Sequence, residues 1–343
     1  VTMASQSGGS DCIVLAHGGG GELTERLIRE HFLNRLGNAT LNPLTDGAIL
    51  GSVAGNVVMT TDSFVVHPLE FPGGDIGRLA VCGTVNDLAM MGAKPLGLSL
   101  GVIMEEGLPL DLLDRVVASL AASAEQAGVK IVTGDTKVIE RRGADGLFIN
   151  TAGVGVQSPG VWLGTDRIAP GDCILISGRI AEHGLAVLSK RNGLEFASSI
   201  ISDVAPLNSL VDAIVTAGVD LKFLRDPTRG GLAGVVADVS KDTNLTIEIE
   251  DNCVPITATA RHASEMLGLD PLTIANEGKL VAIVAEDQAE KLLDVCRSHP
   301  LGRHAAIIGR VTDSKPALAE LVMATGGRRV IQKPYGEEVP RIC

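Results

Sequence analysis

The last residue of this 343-residue chain is a cysteine, Cys343, and a terminal thiol can carry a covalently bound substrate. The preceding segment, Gln332 to Pro340, contains two prolines, a glycine and several charges, so it has little apolar surface to bury. Such a segment is predicted to be mobile. We therefore expect Cys343 to be loaded at one active site and processed at another. The alternative is a tail that ends in cysteine by chance.

Three aspartates at the ends of apolar segments could bind a metal ion. Asp62 follows the apolar residues 57–61, Asp87 follows Thr84-Val85-Asn86, and Asp135 lies in the segment 133–137. Strand ends collect ligand groups in α/β folds, and carboxylates without His or Cys suit Mg²⁺ that bridges phosphates. The set of three predicts a nucleotide site with Mg²⁺. Any one of these aspartates could instead cap a helix or begin a turn.

A run of glycines, His17-Gly18-Gly19-Gly20-Gly21, follows an apolar stretch and precedes a helical pattern over residues 22–36. Glycine lets backbone N–H groups approach a phosphate closely, and a helix N-terminus adds a favourable field. The run has neither the spacing of a P-loop nor the dinucleotide fingerprint. It indicates a phosphate-binding loop, with a flexible linker as the alternative.

Cationic groups occur in two segments. Lys137 lies two residues after Asp135 and could neutralise phosphate charge or, if desolvated, titrate near neutral pH. The segment Asp226-Pro227-Thr228-Arg229-Gly230-Gly231 precedes a helical pattern. Its arginine suits anions, its glycines allow close approach, and its Asp and Thr are candidate helix caps. A solvated lysine and a plain loop-to-helix junction are the alternatives.

Glu277 is a candidate general base. The segment Asn276-Glu277-Gly278-Lys279 lies immediately before the apolar residues 280–285, which are predicted to form a strand. A carboxylate at that position could reach a substrate. On its own the segment would be interpreted as a turn.

Elements of α/β type must position these residues. Strands alternate with helices in the first half, and periodicity lapses around residues 157–171, where a domain boundary is plausible. In the second half, residues 245–250 alternate strictly, which predicts that Leu245, Ile247 and Ile249 face a core while Thr246, Glu248 and Glu250 face water. Predicted strands are 57–61, 96–104, 129–132, 147–156, 173–176, 245–250, 280–285 and 305–311, with a closing hairpin of 318–323 and 328–332. Predicted helices are 75–91, 110–127, 184–191, 207–217, one after Pro227, and 287–298.

We therefore predict an α/β (α+β) fold with domains 1–158 and 170–331 and a flexible tail, 332–343. A net charge of −12 and the lack of a basic block argue against a nucleic-acid partner. No apolar run approaches the ~20 residues that span a bilayer, and no leader pattern is seen, so a cytoplasmic protein is expected. The scattered cysteines fit neither a disulfide framework nor a zinc site.

With these motifs in this order and a terminal Pro340-Arg341-Ile342-Cys343, the chain closely resembles the HypE family of hydrogenase maturation factors, nearly end to end. Related ATP-using synthetases share the acidic and glycine-rich elements without the terminal cysteine motif. The resemblance implies a two-domain fold of the aminoimidazole-ribonucleotide-synthetase type. It also implies a homodimer formed by the first domain, with ATP near the interface.

The resemblance also implies a reaction. In that family, the partner HypF transfers a carbamoyl group to the terminal cysteine, ATP and Mg²⁺ support its dehydration to a thiocyanate, and the HypC–HypD complex accepts the nitrile as the cyanide ligand of [NiFe]-hydrogenase iron. On these terms Cys343, Lys137 and Glu277 are catalytic, with Glu277 the preferred base and the roles of Lys137 and Glu277 exchangeable. Metal would bind Asp62, Asp87 and Asp135, and the nucleotide would bind these and His17, Gly18, Gly19, Gly20, Gly21, Thr228 and Arg229.

Two alternatives remain open at this point. A superfamily relative could phosphorylate a diffusible small molecule with Cys343 incidental; a selenide-using enzyme would need a reactive cysteine near the glycine run, and Cys12 lies five residues before His17. A non-catalytic scaffold could instead carry a group on its terminal thiol. Loss of dehydration in Asp87, Lys137 or Glu277 variants would exclude the scaffold.

Overall fold

The computed structural model describes residues 12–194, 200–334 and 341–342. It contains two mixed α/β layers in sequence, which confirms the predicted two-domain α/β class. Cys343 and most of the predicted tail lie outside the described residues, so the mobility of the tail stays a prediction. Within the described ranges, none of the helices combines the length and hydropathy that a membrane span requires.

A four-stranded sheet forms the first half, in the order β1-β6-β4-β5. β4 pairs in parallel with β5 and antiparallel with β6, and β6 pairs antiparallel with β1. Two helices, α3 and α4, pack together over one face. The bounds are α1 Glu22–Leu27, α2 Asn34–Leu36, β1 Val57–Phe64, β2 Glu70–Phe71, β3 Gly74–Asp75, α3 Ile76–Met90, β4 Ala93–Glu105, α4 Leu110–Ala127, β5 Ile131–Ile139 and β6 Leu147–Gln157, with a 3₁₀ turn Leu15–Gly18 and a π-helical turn Ile28–Leu33 between α1 and α2.

A seven-stranded sheet forms the second half, in the order β13-β12-β9-β11-β7-β10-β8. Its pairings are antiparallel except that of β12 with β9. The predicted closing hairpin is present as β12 and β13. The bounds are β7 Cys173–Ile176, α5 Glu182–Arg191, α6 Asn208–Thr216, β8 Leu221–Arg225, α7 Gly231–Thr243, β9 Thr246–Glu250, α8 Ala258–Leu267, β10 Val281–Val284, α9 Glu286–Ser298, β11 Ala306–Thr312, β12 Ala319–Val322 and β13 Arg328–Val330, with 3₁₀ turns Thr165–Arg167, Asp251–Cys253 and Pro300–Gly302.

The prediction that the polar residues of β9 face water is confirmed for Glu250, which is exposed, and is wrong for Thr246 and Glu248. Thr246 is 1% and Glu248 6% exposed, because β9 is an inner strand between β12 and β11 and both of its faces are covered. Thr246 Oγ1 donates a hydrogen bond to the Ser314 carbonyl, and Arg328 donates to the Glu248 carboxylate at 2.8 Å. Alternation of apolar and polar residues can thus mark a buried polar row when each polar group has a partner.

A buried asparagine joins the two halves of the molecule. Asn86, 1% exposed on α3, donates through Nδ2 to the carbonyls of Ala205 and Glu277 and accepts from Leu207 N at 2.7 Å. Because α3 belongs to the first half and the three partners to the second, this side chain fixes the loop that carries Glu277 against the first sheet's helices.

Asn86→Asp is expected to destabilise the fold by about 2–4 kcal/mol, since a carboxylate oxygen would then face two carbonyl oxygens without a donor between them. Urea unfolding measures the change. Asn56→Asp is the matched control, because Asn56 is exposed and its side chain donates to that of Gln157; its change should stay within ~0.5 kcal/mol. Equal stability of the two variants would refute the role assigned to Asn86.

Candidate active site

The structure gathers the predicted site residues into two groups. The first, here called the acidic pocket, encloses about 140 Å³, and the second, the glycine-loop site, borders a cavity of about 260 Å³. The acidic pocket is lined by Thr61, Asp62, Ser63, Gly83, Asp87, Asp226, Thr228, Arg229 and Glu277. Of the predicted residues, the glycine-loop site contains Gly18, Gly20, Asp135 and Lys137.

Elements from both halves of the chain build the acidic pocket. Asp62 comes from β1, and Asp87 comes from the last turns of α3, where Thr60 Oγ1 donates to its Oδ2 at 2.7 Å. Asp226 and Arg229 lie on the connection from β8 to α7, and Glu277 lies on the segment before β10. The pocket therefore exists only where the two halves of the chain meet.

The β8–α7 connection owes its path to glycine. Gly230 (φ +79°) is the N-cap of α7, and Gly231 (φ +58°) has carbonyl oxygens of Leu272 and Ile274 2.5 and 2.6 Å from where a Cβ would stand. Only glycine tolerates both the left-handed backbone and this closeness. The prediction that Asp226 or Thr228 caps α7 is wrong, because no side chain caps this helix and Asp226 instead lines the pocket.

Carboxyl groups in the acidic pocket repel one another. Glu277 is 2% exposed and its Oε1 has no hydrogen-bond partner; burial first, then the charges of Asp226 and Asp203, raise its pKa well above the usual value. Burial and then the charge of Asp87 raise the pKa of Asp226 to about 7. Burial likewise raises the pKa values of Asp62 and Asp87, while the Arg229 guanidinium lowers both.

This excess of acid over base suits a cation. Four carboxyl groups face one guanidinium on the pocket lining, and the unpaired Glu277 oxygen lacks a donor. Oxygen ligands of this kind suit Mg²⁺, so Asp62 and Asp87 fit the predicted metal role. Within one chain, however, no three acidic, His or Cys side chains of the described ranges are arranged to hold a metal ion.

Backbone hydrogen bonds hold Glu277 rigidly. The Asp203 carboxylate accepts from the backbone N–H groups of Glu277 and Gly278, both at 3.2 Å, and forms a buried ion pair with Lys279 at 2.9 Å. At Gly278 a Cβ would stand 1.8 Å from the Asp203 carbonyl oxygen, so a side chain cannot fit there. Asn276 accepts from Ala181 N through Oδ1 and donates to the Pro227 carbonyl, which ties the Glu277 segment to the β8–α7 connection.

At the glycine-loop site, the glycine run lies against β5. A Cβ at Gly18 would stand 2.7 Å from Val138 N, so this glycine is required for packing, whereas Gly20 and Gly21 have open space around them. His17 is buried and accepts from Val14 N through Nδ1, so it supports the loop from beneath. Lys137 Nζ lies 3.8 Å from Asp135 Oδ2. The open glycines and the exposed lysine leave room for an anion.

Asp62 and Asp135 lie on opposite faces of the first sheet. Across the sheet, Asp62 on β1 lies in one row with Thr151 on β6, Leu100 on β4 and Gly134 on β5. Asp135 is the next residue of β5, and it lies in the following row with Gly101. Since side chains alternate between faces, Asp62 points toward the helices and Asp135 away from them. The expectation that both aspartates end strands is wrong: each lies inside a strand. Within one chain, Asp135 therefore does not join Asp62 and Asp87, and a common metal site stays a prediction that needs a second copy.

Sequence reasoning missed the positions of three residues that line or support the acidic pocket. Asp226 was expected to cap a helix, although its place two residues before the Thr-Arg pair of a glycine-rich segment was a usable signal. Asp203 has no local motif, because its partners Glu277 and Lys279 are more than 70 positions away. Asn86 belongs to a recognisable motif, but its contacts with the second half could not be predicted, because a contact between domains does not affect the local periodicity of the sequence.

Comparison with known proteins places the chain in a family. Residues 45–157 match the N-terminal domain and residues 169–319 the C-terminal domain of AIR synthase related proteins. The carbamoyl dehydratase HypE of Azotobacter vinelandii is 47% identical over 331 residues, covering 96% of this chain and 97% of that protein.

Two solved structures resemble the fold closely. A crystal structure of hydrogenase maturation protein HypE in complex with ATP superposes with a TM-score of 0.92 at 45% identity, covering 96% of this chain and 99% of the other. HypE in a HypE–HypF complex superposes with a TM-score of 0.79 at 47% identity, covering 90% and 99%.

Asp226→Asn is expected to stabilise the metal-free protein more at pH 8 than at pH 5. The raised folded-state pKa means that wild-type stability falls as pH rises from about 4 to about 7, and asparagine removes that loss. The gain in the free energy of unfolding of Asp226→Asn relative to wild type should be ~2–3 kcal/mol larger at pH 8 than at pH 5. Urea unfolding in EDTA measures it. Asp242→Asn, at an exposed position, should show no such growth; a gain independent of pH at Asp226 would exclude a buried, titrating carboxyl.

Proposed function

Because this chain belongs to the HypE family of carbamoyl dehydratases in hydrogenase maturation, we propose that it uses ATP to dehydrate an S-carbamoyl group on its own Cys343 to a thiocyanate. The product would supply the cyanide ligand of [NiFe]-hydrogenase iron. One observation carries the assignment of the site: Glu277 is a buried carboxyl with an unpaired oxygen, facing a pocket that also presents Arg229. A relative 45% identical to this chain binds ATP, so ATP is the proposed phosphoryl donor.

The reaction requires a leaving group and a base. The thiocarbamate oxygen leaves poorly, so transfer of the ATP γ-phosphoryl group to it makes inorganic phosphate the leaving group. Loss of the two nitrogen protons then forms the C≡N bond, and thiocarbamate plus ATP yields thiocyanate, ADP and phosphate. Glu277 is the proposed base, because a carboxylate with a raised pKa binds a proton more tightly near neutral pH than an exposed one does.

The other predicted residues surround this step. Arg229 supports the negative charge of the transferred phosphoryl group, and Thr228 and the open glycines Gly20 and Gly21 contact phosphate oxygens. Asp62 and Asp87 would hold Mg²⁺ on the helix side of the sheet. When bound there, Mg²⁺ would neutralise phosphate charge and draw the neighbouring carboxyls into their ionised form.

A homodimer would complete the site. The outer face of the first sheet carries exposed apolar side chains, including Val57 and Met59, the latter 70% exposed, on the same face as Asp135 and Lys137. An apolar face of this kind suits a second copy of the same sheet. We propose that a dimer brings Asp135 and Lys137 of one protomer to the acidic pocket of its partner, with ATP between them. Lys137 then supports phosphoryl transfer from across the interface.

Partners follow from the family. A HypE–HypF complex is known for a relative, so HypF is the proposed carbamoyl donor here. The HypC–HypD complex is the proposed acceptor of the nitrile, and the cytoplasm is the proposed compartment. Nucleic acid is not a proposed partner, because the net charge of −12 would repel its phosphates.

Intact-protein mass spectrometry after incubation with HypF and carbamoyl phosphate tests the reaction directly. The wild type should gain a carbamoyl adduct and lose one water from it only after ATP and Mg²⁺ are added. Glu277→Gln should load normally but dehydrate at least ~100-fold more slowly, since it lacks the base. Cys343→Ala should never load. A Cys343→Ala protein that still accepts the group, or a wild type that hydrolyses ATP only with a diffusible substrate, would overturn the proposal.

Heterodimers test the shared site. Lys137→Ala and Glu277→Gln protomers, carrying different affinity tags and purified as a mixed dimer, should regain about half of the wild-type dehydration rate, because one of the two sites then holds both native residues. Each variant alone should be nearly inactive. A mixed dimer as inactive as its parents would mean that Lys137 and Glu277 act within one chain.

A further inference from the structure

The last two described residues, Arg341 and Ile342, are packed against the body of the protein. The Arg341 carbonyl oxygen accepts from Arg191 Nη2 at 2.6 Å and from His67 N at 3.2 Å, and its guanidinium pairs with Asp145. The Ile342 side chain is 8% exposed and belongs to the main core cluster of the first half. The chain is therefore held by specific groups up to the peptide bond before Cys343.

His183 holds that peptide bond. Its Nε2 lies 2.8 Å from the carbonyl oxygen of Ile342, and this oxygen belongs to the peptide group that joins Ile342 to Cys343. His183 lies on α5, is 0% exposed, and packs edge-on against the Phe71 ring at 5.4 Å. A carbonyl oxygen can only accept, so Nε2 must carry the proton.

Ser202 provides the partner for the second ring nitrogen of this histidine. Ser202 Oγ lies 2.8 Å from His183 Nδ1 and accepts from Val204 N at 3.1 Å. Burial lowers the pKa of His183, so the ring is neutral, and with the proton on Nε2 its Nδ1 must accept from the serine hydroxyl. The charged group that faces the ring is Asp203, whose carboxylate raises this pKa without offsetting the burial.

Hydrogen bonds connect the residues around Ile342 to the acidic pocket. Ser202 is adjacent to Asp203, which binds the backbone of Glu277 and Gly278. On α5, Gly184 N donates to the Ala275 carbonyl, and a Cβ at Gly184 would stand 2.6 Å from the Ile274 side chain and 3.6 Å from that of Ile342. Ile342 therefore packs beside α5, and it shares a core cluster with Ala275, two residues before Glu277.

We propose that His183 is a positioning residue that, through its Nε2–H bond to the Ile342 carbonyl, holds the C-terminal residue at the acidic pocket during dehydration. Its hydrogen bond fixes the orientation of the peptide group that precedes the loaded thiol. Loading by HypF needs the terminus exposed, so it does not use this bond. The inference rests on the proposed function for its kinetic consequence, but the docking contact itself can be measured without turnover.

His183→Phe and His183→Gln separate the hydrogen bond from the shape of the residue. Phenylalanine keeps the ring and removes the donor, whereas glutamine keeps an N–H donor at a similar reach. Alkylation of the unloaded protein by N-ethylmaleimide, followed by mass spectrometry of each cysteine, measures exposure of the terminus. We expect Cys343 to react about 3- to 10-fold faster in His183→Phe and within about twofold of wild type in His183→Gln. Cys173 and Cys253 should react at wild-type rates in both.

Single-turnover kinetics supply the second readout. In His183→Phe the rate of carbamoyl loading by HypF should stay at the wild-type value while ATP-dependent dehydration slows about 3- to 10-fold, and His183→Gln should restore dehydration. If His183→Phe does not fold, Ser202→Ala, which removes the donor to Nδ1 and frees the tautomer, carries the same test with a smaller change in the same direction.

Three results would overturn the inference: unchanged Cys343 alkylation in a folded His183→Phe protein, equal losses in His183→Phe and His183→Gln, or faster alkylation at Cys173 and Cys253 as well as Cys343. A wild type that never dehydrates its adduct would refute the proposed function instead, and the alkylation result would still decide the docking contact.

Discussion

The burial of Glu277 beside other carboxyl groups is the interaction on which the rest of the structure depends. An ionised carboxylate without partners is costly inside a protein, and loops free to move would let water reach it. Here hydrogen bonds hold the loops. Asn86 donates to the Glu277 carbonyl, the Asp203 carboxylate accepts from the N–H groups of Glu277 and Gly278, and Asn276 donates to the Pro227 carbonyl. These buried and part-buried contacts hold the carboxyl groups close together, and on the proposed function a cation or a substrate proton would relieve their repulsion.

The second constraint is the alternation of side chains along a strand. It places Asp62 and Asp135 on opposite faces of one sheet although they come from strands in the same layer. A site that uses both cannot close within one chain, and the exposed apolar side chains on the outer face, such as Met59, describe how it could close between two. In the proposed dimer, the same sheet supports chemistry on one face and association on the other, which would account for the mixture of buried, polar and exposed apolar positions along its strands.

The sequence predicted the elements better than their surroundings. Helix α4 and strand β7 begin and end where periodicity placed them, and the motifs that carry the family resemblance within the described residues lie near one of the two groups. The sequence did not predict which side chains of β1 and β5 point toward the helices, because both strands begin with apolar residues and continue through polar ones. Thr246 and Glu248 were misassigned because burial depends on the neighbours of β9, which lie far away in sequence. The contacts of Asp203, Asn86 and His183 are long-range for the same reason.

A carrier residue limits how tightly its own tail can be held. Burying the Ile342 side chain contributes about 1.5–3 kcal/mol, the His183 hydrogen bond about 0.5–1.5 kcal/mol, and the exposed Arg341–Asp145 pair about 0–1 kcal/mol. Ordering the backbone of two or three terminal residues costs about 1–2 kcal/mol each. The docked and released states of the C-terminus are therefore close in free energy. A small change in the contacts of either state would shift the terminus from one to the other. Stronger docking would keep the thiol from its partners, and weaker docking would keep it from Glu277. One buried isoleucine, one buried histidine bond and the exposed Arg341 contacts match that requirement.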